Sequence, residues 1–173
     1  MGLVFLTGGA RSGKSSMAQR WALSSGRPVT VVVTAEAGDD EMVERIARHR
    51  ADRPAGWCTV EAPLGLTAAI AVVPDDHAVI IDCLSIWIAN LVIADIDEAS
   101  IVEQAGTLVD VCRARAATVV VTNEVGSGIV PDNELARRYR DILGRANAIV
   151  AAAADEAFVV VAGRCVPLAP SPW

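Results

Sequence analysis

Gly8 to Ser15 constrains this chain more than any other stretch. It reads G-x-x-x-x-G-K-[ST], the spacing of a phosphate-binding loop. The flanks suit the motif. Leu3-Val4-Phe5-Leu6 is a short apolar run that reads as a buried strand, and Ser16 to Leu23 reads as a helix. Glycines let the backbone curl so that successive N–H groups face phosphate oxygens. The helix behind them points its positive end at the same place. Lys14 can reach the β- and γ-phosphates, and Ser15 can offer its hydroxyl to Mg²⁺. The rival reading is a Gly/Ser turn that matches by chance, and the strand before and the helix after argue against it. Lys14 is also the only lysine; every other basic residue is arginine. A chain that avoids lysine elsewhere has kept it where a compact cation suits phosphate. The motif specifies a nucleoside triphosphate without saying which one, or what is done with it.

A length of 173 residues suits one domain, 1–173, with a real core. At 53% hydrophobic and 21% charged, the composition is that of a globular protein. A net charge of −6 argues against a general nucleic-acid binder, though not against a local basic pocket. Cys58, Cys83, Cys112 and Cys165 are far apart and form no C-x-x-C pair. They read as reduced, mostly buried thiols of a cytoplasmic protein. The first apolar run leads straight into the phosphate loop, unlike a signal peptide. The longest apolar region, Ala78 to Ala94, is interrupted by Asp82, Ser85 and Asn90. It reads as a buried strand running into a buried helix, with no membrane span.

Beyond the first helix, Val29 to Thr34 is a β-branched strand ending in Thr34-Ala35-Glu36. In an open parallel sheet ligands bind beyond the carboxyl ends of the strands, so these residues are expected near the phosphate loop. Asp39-Asp40-Glu41 opens a helix with Met42, Ile46 and His49 on one face. Arg45, Arg48, Arg50 and Arg53 surround His49. Guanidinium groups near an imidazole keep it neutral, hence nucleophilic, and could also hold a triphosphate. A histidine without a role on a solvated basic helix face is the alternative. The other histidine, His77, is expected in a turn. Val79-Ile80-Ile81-Asp82 is an apolar strand ending in an acid, the Walker B pattern, whose carboxylate serves Mg²⁺.

A strand over Trp57 to Glu61 and helices over Pro63 to Val72, Leu84 to Ile93 and Ile101 to Cys112 are expected. Thr118 to Thr122 is a strand. Asn123 to Pro131 is a loop at the carboxyl edge, a substrate contact or a plain connection. Leu135 to Ala153 is a long amphipathic helix and Phe158 to Ala162 a strand. Gly163-Arg164 turns it back into an antiparallel edge strand, Cys165 to Leu168. The order specifies an α/β fold, a mostly parallel sheet with helices on both faces.

Several stretches together resemble a known family. They are Thr7 to Ser15, Thr34-Ala35-Glu36, Asp39-Asp40-Glu41-Met42 through Arg45-Ile46 to His49, and Trp57 with Glu61. Asp82-Cys83-Leu84, Asn90-Leu91 and Thr122-Asn123-Glu124-Val125-Gly126-Ser127-Gly128-Ile129-Val130-Pro131 complete the set. The chain resembles the bifunctional adenosylcobinamide kinase/adenosylcobinamide-phosphate guanylyltransferases of cobalamin biosynthesis, from Leu3 to about Val161. The resemblance implies a RecA-like P-loop fold and a homotrimer. It implies that ATP or GTP phosphorylates the aminopropanol hydroxyl of adenosylcobinamide. GTP then gives GMP to an enzyme histidine, releasing pyrophosphate, and the cobinamide phosphate takes the GMP to give adenosylcobinamide-GDP. By position His49 would carry GMP, with Lys14 as the other catalytic residue.

The resemblance places nucleotide contacts at Gly8, Gly9, Ala10, Arg11, Ser12, Gly13, Lys14 and Ser15. It adds Thr34, Ala35 and Glu36, then Arg50, Ala51, Asp52 and Arg53, then Glu61 and Asp82. Mg²⁺ would lie at Ser15 and Asp82. Two departures stand out: some members have two adjacent histidines where this chain has Arg48-His49, and some have Glu where it has Asp82. The rival functions are a monofunctional small-molecule kinase with His49 idle, and a GTP-binding switch. A switch usually reads guanine with N-K-x-D, which a chain whose only lysine is Lys14 cannot contain.

Overall fold

The computed structural model describes residues 2–36 and 53–170. The expectations for Asp39 to Asp52, including the helix bearing His49 and the contacts at Arg50, Ala51 and Asp52, lie outside the described residues. Seven strands form one sheet, in the order β3-β2-β4-β5-β1-β6-β7. They are β1 (Gly2–Thr7), β2 (Val29–Val33), β3 (Cys58–Glu61), β4 (Ala78–Asp82), β5 (Ala117–Val121), β6 (Glu156–Val161) and β7 (Arg164–Pro167). All neighbouring pairs are parallel except β6 with β7. The expected mostly parallel sheet with one antiparallel edge is therefore present. The described helices are α1 (Lys14–Ser24), α2 (Leu66–Ala71), α3 (Leu84–Ile93), α4 (Glu98–Arg113) and α5 (Glu134–Ala153).

The inner strands are continuous apolar runs because both their faces are covered. Alternation along each strand feeds two cores. Leu3 and Phe5 of β1, Val79 and Ile81 of β4, and Val120 of β5 pack with Leu66, Trp87, Ile101, Leu108, Ile142 and Leu143 of α2 to α5. Val4 and Leu6, Ala78 and Ile80, and Val119 and Val121 face the other way, onto Ala18 and Ala22 of α1. Small residues on that stripe let α1 lie close against the strands. Helices thus occupy both faces.

The four cysteines do not share one fate. Cys83 and Cys112 are buried, whereas Cys58 and Cys165 are exposed. The expectation of mostly buried thiols fails for the latter two because they stand on β3 and β7, the two edges of the sheet. His77 closes the turn before β4, its amide donating to Pro74 O. Its ring bonds Thr30 Oγ1 at 2.8 Å. Among the described residues no helix is long and apolar enough to cross a membrane.

Candidate functional site

Parallel pairing brings the carboxyl ends of β1 to β6 to one edge. One transverse row of register partners crosses the whole sheet: Glu61, Val33, Asp82, Val121, Leu6, Phe158 and Pro167. Asp82 is thus level with Leu6, the residue before Thr7 and the phosphate loop. Two steps of about 4.8 Å separate their strands. Asp82 stands two residues beyond Ile80, on the same face of β4, and Ile80 faces α1. The Asp82 side chain therefore projects on the α1 side, the side of the loop. Glu61 lies in the same row but four steps from β1, about 19 Å away. The fold brings Asp82 to the phosphate loop and leaves Glu61 on the far edge strand, where Arg53 donates to Thr59 Oγ1 at 2.9 Å.

The loop carries three residues in the left-handed region: Gly8 (φ 144), Arg11 (φ 56) and Gly13 (φ 102). Gly13 is the N-cap of α1, with no side-chain cap, so the helix amides are left facing the loop. Lys14, Ala18 and Ala22 are the buried residues of α1. Their spacing puts the lysine on the inward stripe. Lys14 Nζ donates to Gly8 O at 2.8 Å and to Gly9 O at 2.6 Å. The ammonium is thereby held at the mouth of the loop, and Lys14 as a whole is only 7% exposed. The side chain of Thr7, at the root of the loop, is buried, and its hydroxyl has no hydrogen-bond partner among the described residues. Gly9, Ala10 and Arg11 are exposed, while Ser12 and Ser15 are half-buried.

A polar strut holds the acid end of β4. The Thr34 amide donates to Asp82 O at 3.2 Å. Its hydroxyl donates to Cys83 O at 2.7 Å and accepts from Cys83 N at 3.0 Å. Thr34 is fully buried, so its side chain meets the Cys83 backbone while Ala35 and Glu36 lie nearer the surface. The Asn90 amide group donates to Thr34 O and Pro63 O, at 2.8 and 3.0 Å. Burial pushes the Cys83 thiol up, and the neighbouring Asp82 charge adds to this, while Ser85, the Ile86 amide and Lys14 pull it down. One thiol thus feels both Asp82 and Lys14, the two charges that the motifs supply.

At the next strand end, Asn123 Nδ2 donates to Ser85 Oγ at 3.0 Å, and Thr122 Oγ1 donates to Asn147 Oδ1 at 2.8 Å. Tyr139 Oη donates to Ser85 O at 3.2 Å, and burial pushes its phenol up to about 12. The Asn123 to Pro131 loop then folds around Glu124. The Glu124 amide donates to Gly8 O at 3.2 Å. Its carboxylate accepts from the amides of Gly126 and Ser127 and from the Ser127 hydroxyl at 2.7, 3.2 and 2.8 Å. These donors, the Ser127 hydroxyl first, hold the carboxyl below its ordinary range. Ile129 at the loop tip is 97% exposed. Sequence reasoning singled out this loop but not its bond to Gly8, which joins positions 116 residues apart and leaves no local signal.

Ser15, in the first turn of α1, and Asp82, at the end of β4, are the hard oxygen donors that the two motifs supply. Among the described residues no group of three or more His, Cys, Asp or Glu could hold a metal ion. A two-donor set of this kind fits Mg²⁺, which takes its remaining ligands from phosphate and water.

Residues 4–168 match the family described as cobinamide kinase / cobinamide phosphate guanyltransferase. The bifunctional adenosylcobalamin biosynthesis protein CobP of Pseudomonas aeruginosa is 40% identical, over 96% of this chain and 97% of that protein. The bifunctional adenosylcobalamin biosynthesis protein CobU of Salmonella typhimurium is 42% identical, over 93% of this chain and 96% of that one. Among solved structures, a type III secretion system ATPase superposes with a TM-score of 0.61 at 11% identity. It covers 91% of this chain, which spans 50% of that ATPase. The RadB recombinase superposes with a TM-score of 0.51 at 15% identity, covering 91% of this chain and 73% of that one. Those two similarities show the RecA-like P-loop fold alone. A family match over residues 4–168, with relatives 40% and 42% identical over more than nine-tenths of the chain, settles the kinship: the chain belongs to the cobinamide kinase / cobinamide phosphate guanyltransferase family.

Proposed function

We propose that the chain, as one domain over 1–173, phosphorylates the aminopropanol hydroxyl of adenosylcobinamide with ATP or GTP. It then transfers GMP from GTP, through a histidine–GMP intermediate on His49, to give adenosylcobinamide-GDP and pyrophosphate. The observation that supports this reading is the register row that Asp82 shares with Leu6, at the root of the Gly8 to Ser15 loop, in a member of this family. The amides from Gly9 to Ser15 cradle the phosphates, and Lys14 swings from its carbonyls onto the transferring oxygens. Ser15 and Asp82 would hold Mg²⁺, which would neutralise phosphate charge. Ala35 and Glu36 touch the nucleotide, and Thr34 acts through the Cys83 peptide it holds. Arg50, Ala51, Asp52 and Arg53, with Glu61 toward the far edge, complete the nucleotide contacts.

His49 attacks the α-phosphorus of GTP through a ring nitrogen and the pyrophosphate oxygen leaves. The phosphoramidate splits one hard transfer into two easier ones. The exposed apolar tip of the Asn123 to Pro131 loop, with Ile129 and Val130, suits contact with the cobinamide. The protein acts in the cytoplasm as a homotrimer on small molecules, and binds no nucleic acid. Light scattering giving a mass other than three chains would remove the trimer.

The test is to incubate the protein with Mg²⁺ and GTP labelled at the α-phosphate, without cobinamide. Acid-labile, base-stable label on the denatured chain, absent in His49→Ala, is expected. Guanylylation at the normal rate by folded His49→Ala would overturn the role of His49. No label with cobinamide phosphorylation intact would leave the monofunctional kinase, and neither activity a binding module.

A further inference from the structure

The phosphate loop is held from outside by the turn between β6 and β7. The Gly163 amide donates to Ser12 O at 2.8 Å. A Cβ on Gly13 would stand 3.3 Å from Gly163 Cα, and one on Gly8 would stand 2.3 Å from Val160 O. Two glycines of the motif therefore face the backbone of this hairpin. Val161 pairs with Arg164, so the turn has two residues, Ala162 (φ 50) and Gly163 (φ 75). Positive φ at both positions is the geometry that matches the twist of a tight hairpin. Gly163 is placed against the loop only while that turn is kept.

We propose that Gly163 is a positioning residue for nucleotide binding, and that the β6–β7 turn keeps the phosphate loop in its binding shape before nucleotide arrives. This rests on the reading of Gly8 to Ser15 as the site for nucleotide phosphates. A loop with positive φ at Gly8, Arg11 and Gly13 has other conformations open to it, because its glycines populate negative φ about as readily as positive. Each alternative shape turns amides away from the phosphates and lowers the apparent affinity by the fraction of molecules that remain competent. The Glu124 amide pins the first carbonyl of the loop, at Gly8, and the Gly163 amide pins the carbonyl just before Gly13. Between these two points the backbone is pre-set.

The experiment compares Gly163→Val with Gly163→Asn, measuring GDP affinity by calorimetry and thermal stability of the free proteins. Valine is strained at positive φ and dislodges the turn, whereas asparagine tolerates it. Gly26→Val is the matched control, because Gly26 also has positive φ (65) and a Cβ there would meet nothing within 4 Å. It lies in the turn after α1, at the other end of that helix from the phosphate loop.

The expected result is GDP binding about three- to tenfold weaker in Gly163→Val. Gly163→Asn stays near wild type, and Gly26→Val melts earlier with unchanged affinity. Should Gly163→Val fail to fold, Gly163→Ala applies the same strain more mildly, since its Cβ would meet nothing within 4 Å. Undiminished affinity in the folded Gly163 variants, with Lys14→Ala losing GDP, overturns the positioning role alone. Equal weakening in Gly26→Val reduces it to general destabilisation. Full GDP affinity in Lys14→Ala overturns the phosphate-loop reading, and the positioning role with it.

Discussion

Single residues in this site act through backbone groups more than through one another. Thr34 shows it: both hydrogen bonds of its hydroxyl go to the Cys83 peptide. Thr34→Val is expected to lower unfolding free energy by about 1–3 kcal/mol, because it takes the acceptor from the buried Cys83 N–H while Cys83 O keeps the Trp87 amide, and urea unfolding checks this. The cysteines separate by exposure. Burial pushes the Cys112 thiol up to about 12 and also raises Cys83. Thiolate is the reactive form, and partial burial raises the Cys165 thiol too, so a chromogenic disulfide reagent at neutral pH should find exposed Cys58 first, exposed Cys165 more slowly, and the other two only on unfolding. Four fast thiols would contradict the buried placement.

Glu124 sets a pH dependence. Its folded pKa lies below the ordinary 4.5, so the carboxylate favours the folded loop above the ordinary value. That contribution is lost as pH falls through the lower, folded one. The amide resonances of Gly126 and Ser127 should therefore shift with a midpoint below 4.5, and a midpoint at or above it would exclude the bonds to the carboxylate.

At the scale of elements, helices with their own caps differ from those held by the fold. Asn133 and Asp97 cap α5 and α4, accepting from the amides of Ala136 and Ser100. These helices were legible from apolar spacing and begin within three residues of where periodicity puts them. α2 is different. Pro63 to Val72 reads as one amphipathic segment, yet the helix covers only Leu66–Ala71. Asn90 holds Pro63 O and Trp87 Nε1 donates to Leu64 O at 2.8 Å. The chain before α2 is thereby held in a bend at Pro63 and Leu64 and kept out of the helix. At the other end the Arg115 guanidinium donates to Ile70 O, Val73 O and Pro74 O, at 3.4, 3.1 and 2.5 Å. A six-residue helix cannot stand alone. Arg115→Met should cost about 1–3 kcal/mol in urea unfolding by removing the guanidinium from Val73 O, while Ile70 O and Pro74 O keep the amides of Val73 and His77, and a loss under 1 kcal/mol would show that water replaces the guanidinium.

For the whole molecule, nucleotide binding and stability are linked. A ligand at a hundred times its Kd stabilises the folded state by about 2.7 kcal/mol. For a chain of this size that is a rise in Tm of roughly 5–10 °C. GTP with Mg²⁺ should produce such a rise in the wild type and none in Lys14→Ala, read by differential scanning calorimetry; an equal rise in both would remove the phosphate loop from nucleotide binding.

The sequence by itself determined the loop, the strand-end acid and the alternation of strands and helices. All three are local: a spacing of eight residues, an apolar run with its terminator, and periods of 2 and 3.6. Family kinship was legible for the same reason, since its motifs are contiguous. Only the tertiary structure decided that Asp82 and Leu6 share a row while Glu61 stands at the far edge. Only it decided that Cys58 and Cys165 are exposed, and that Gly8 and Gly13 are packed against a hairpin some 150 residues downstream. Strand order sets each of these. β5 enters the sheet between β4 and β1, and β6 on the other side of β1, an arrangement made by long crossovers that leaves no mark on neighbouring residues.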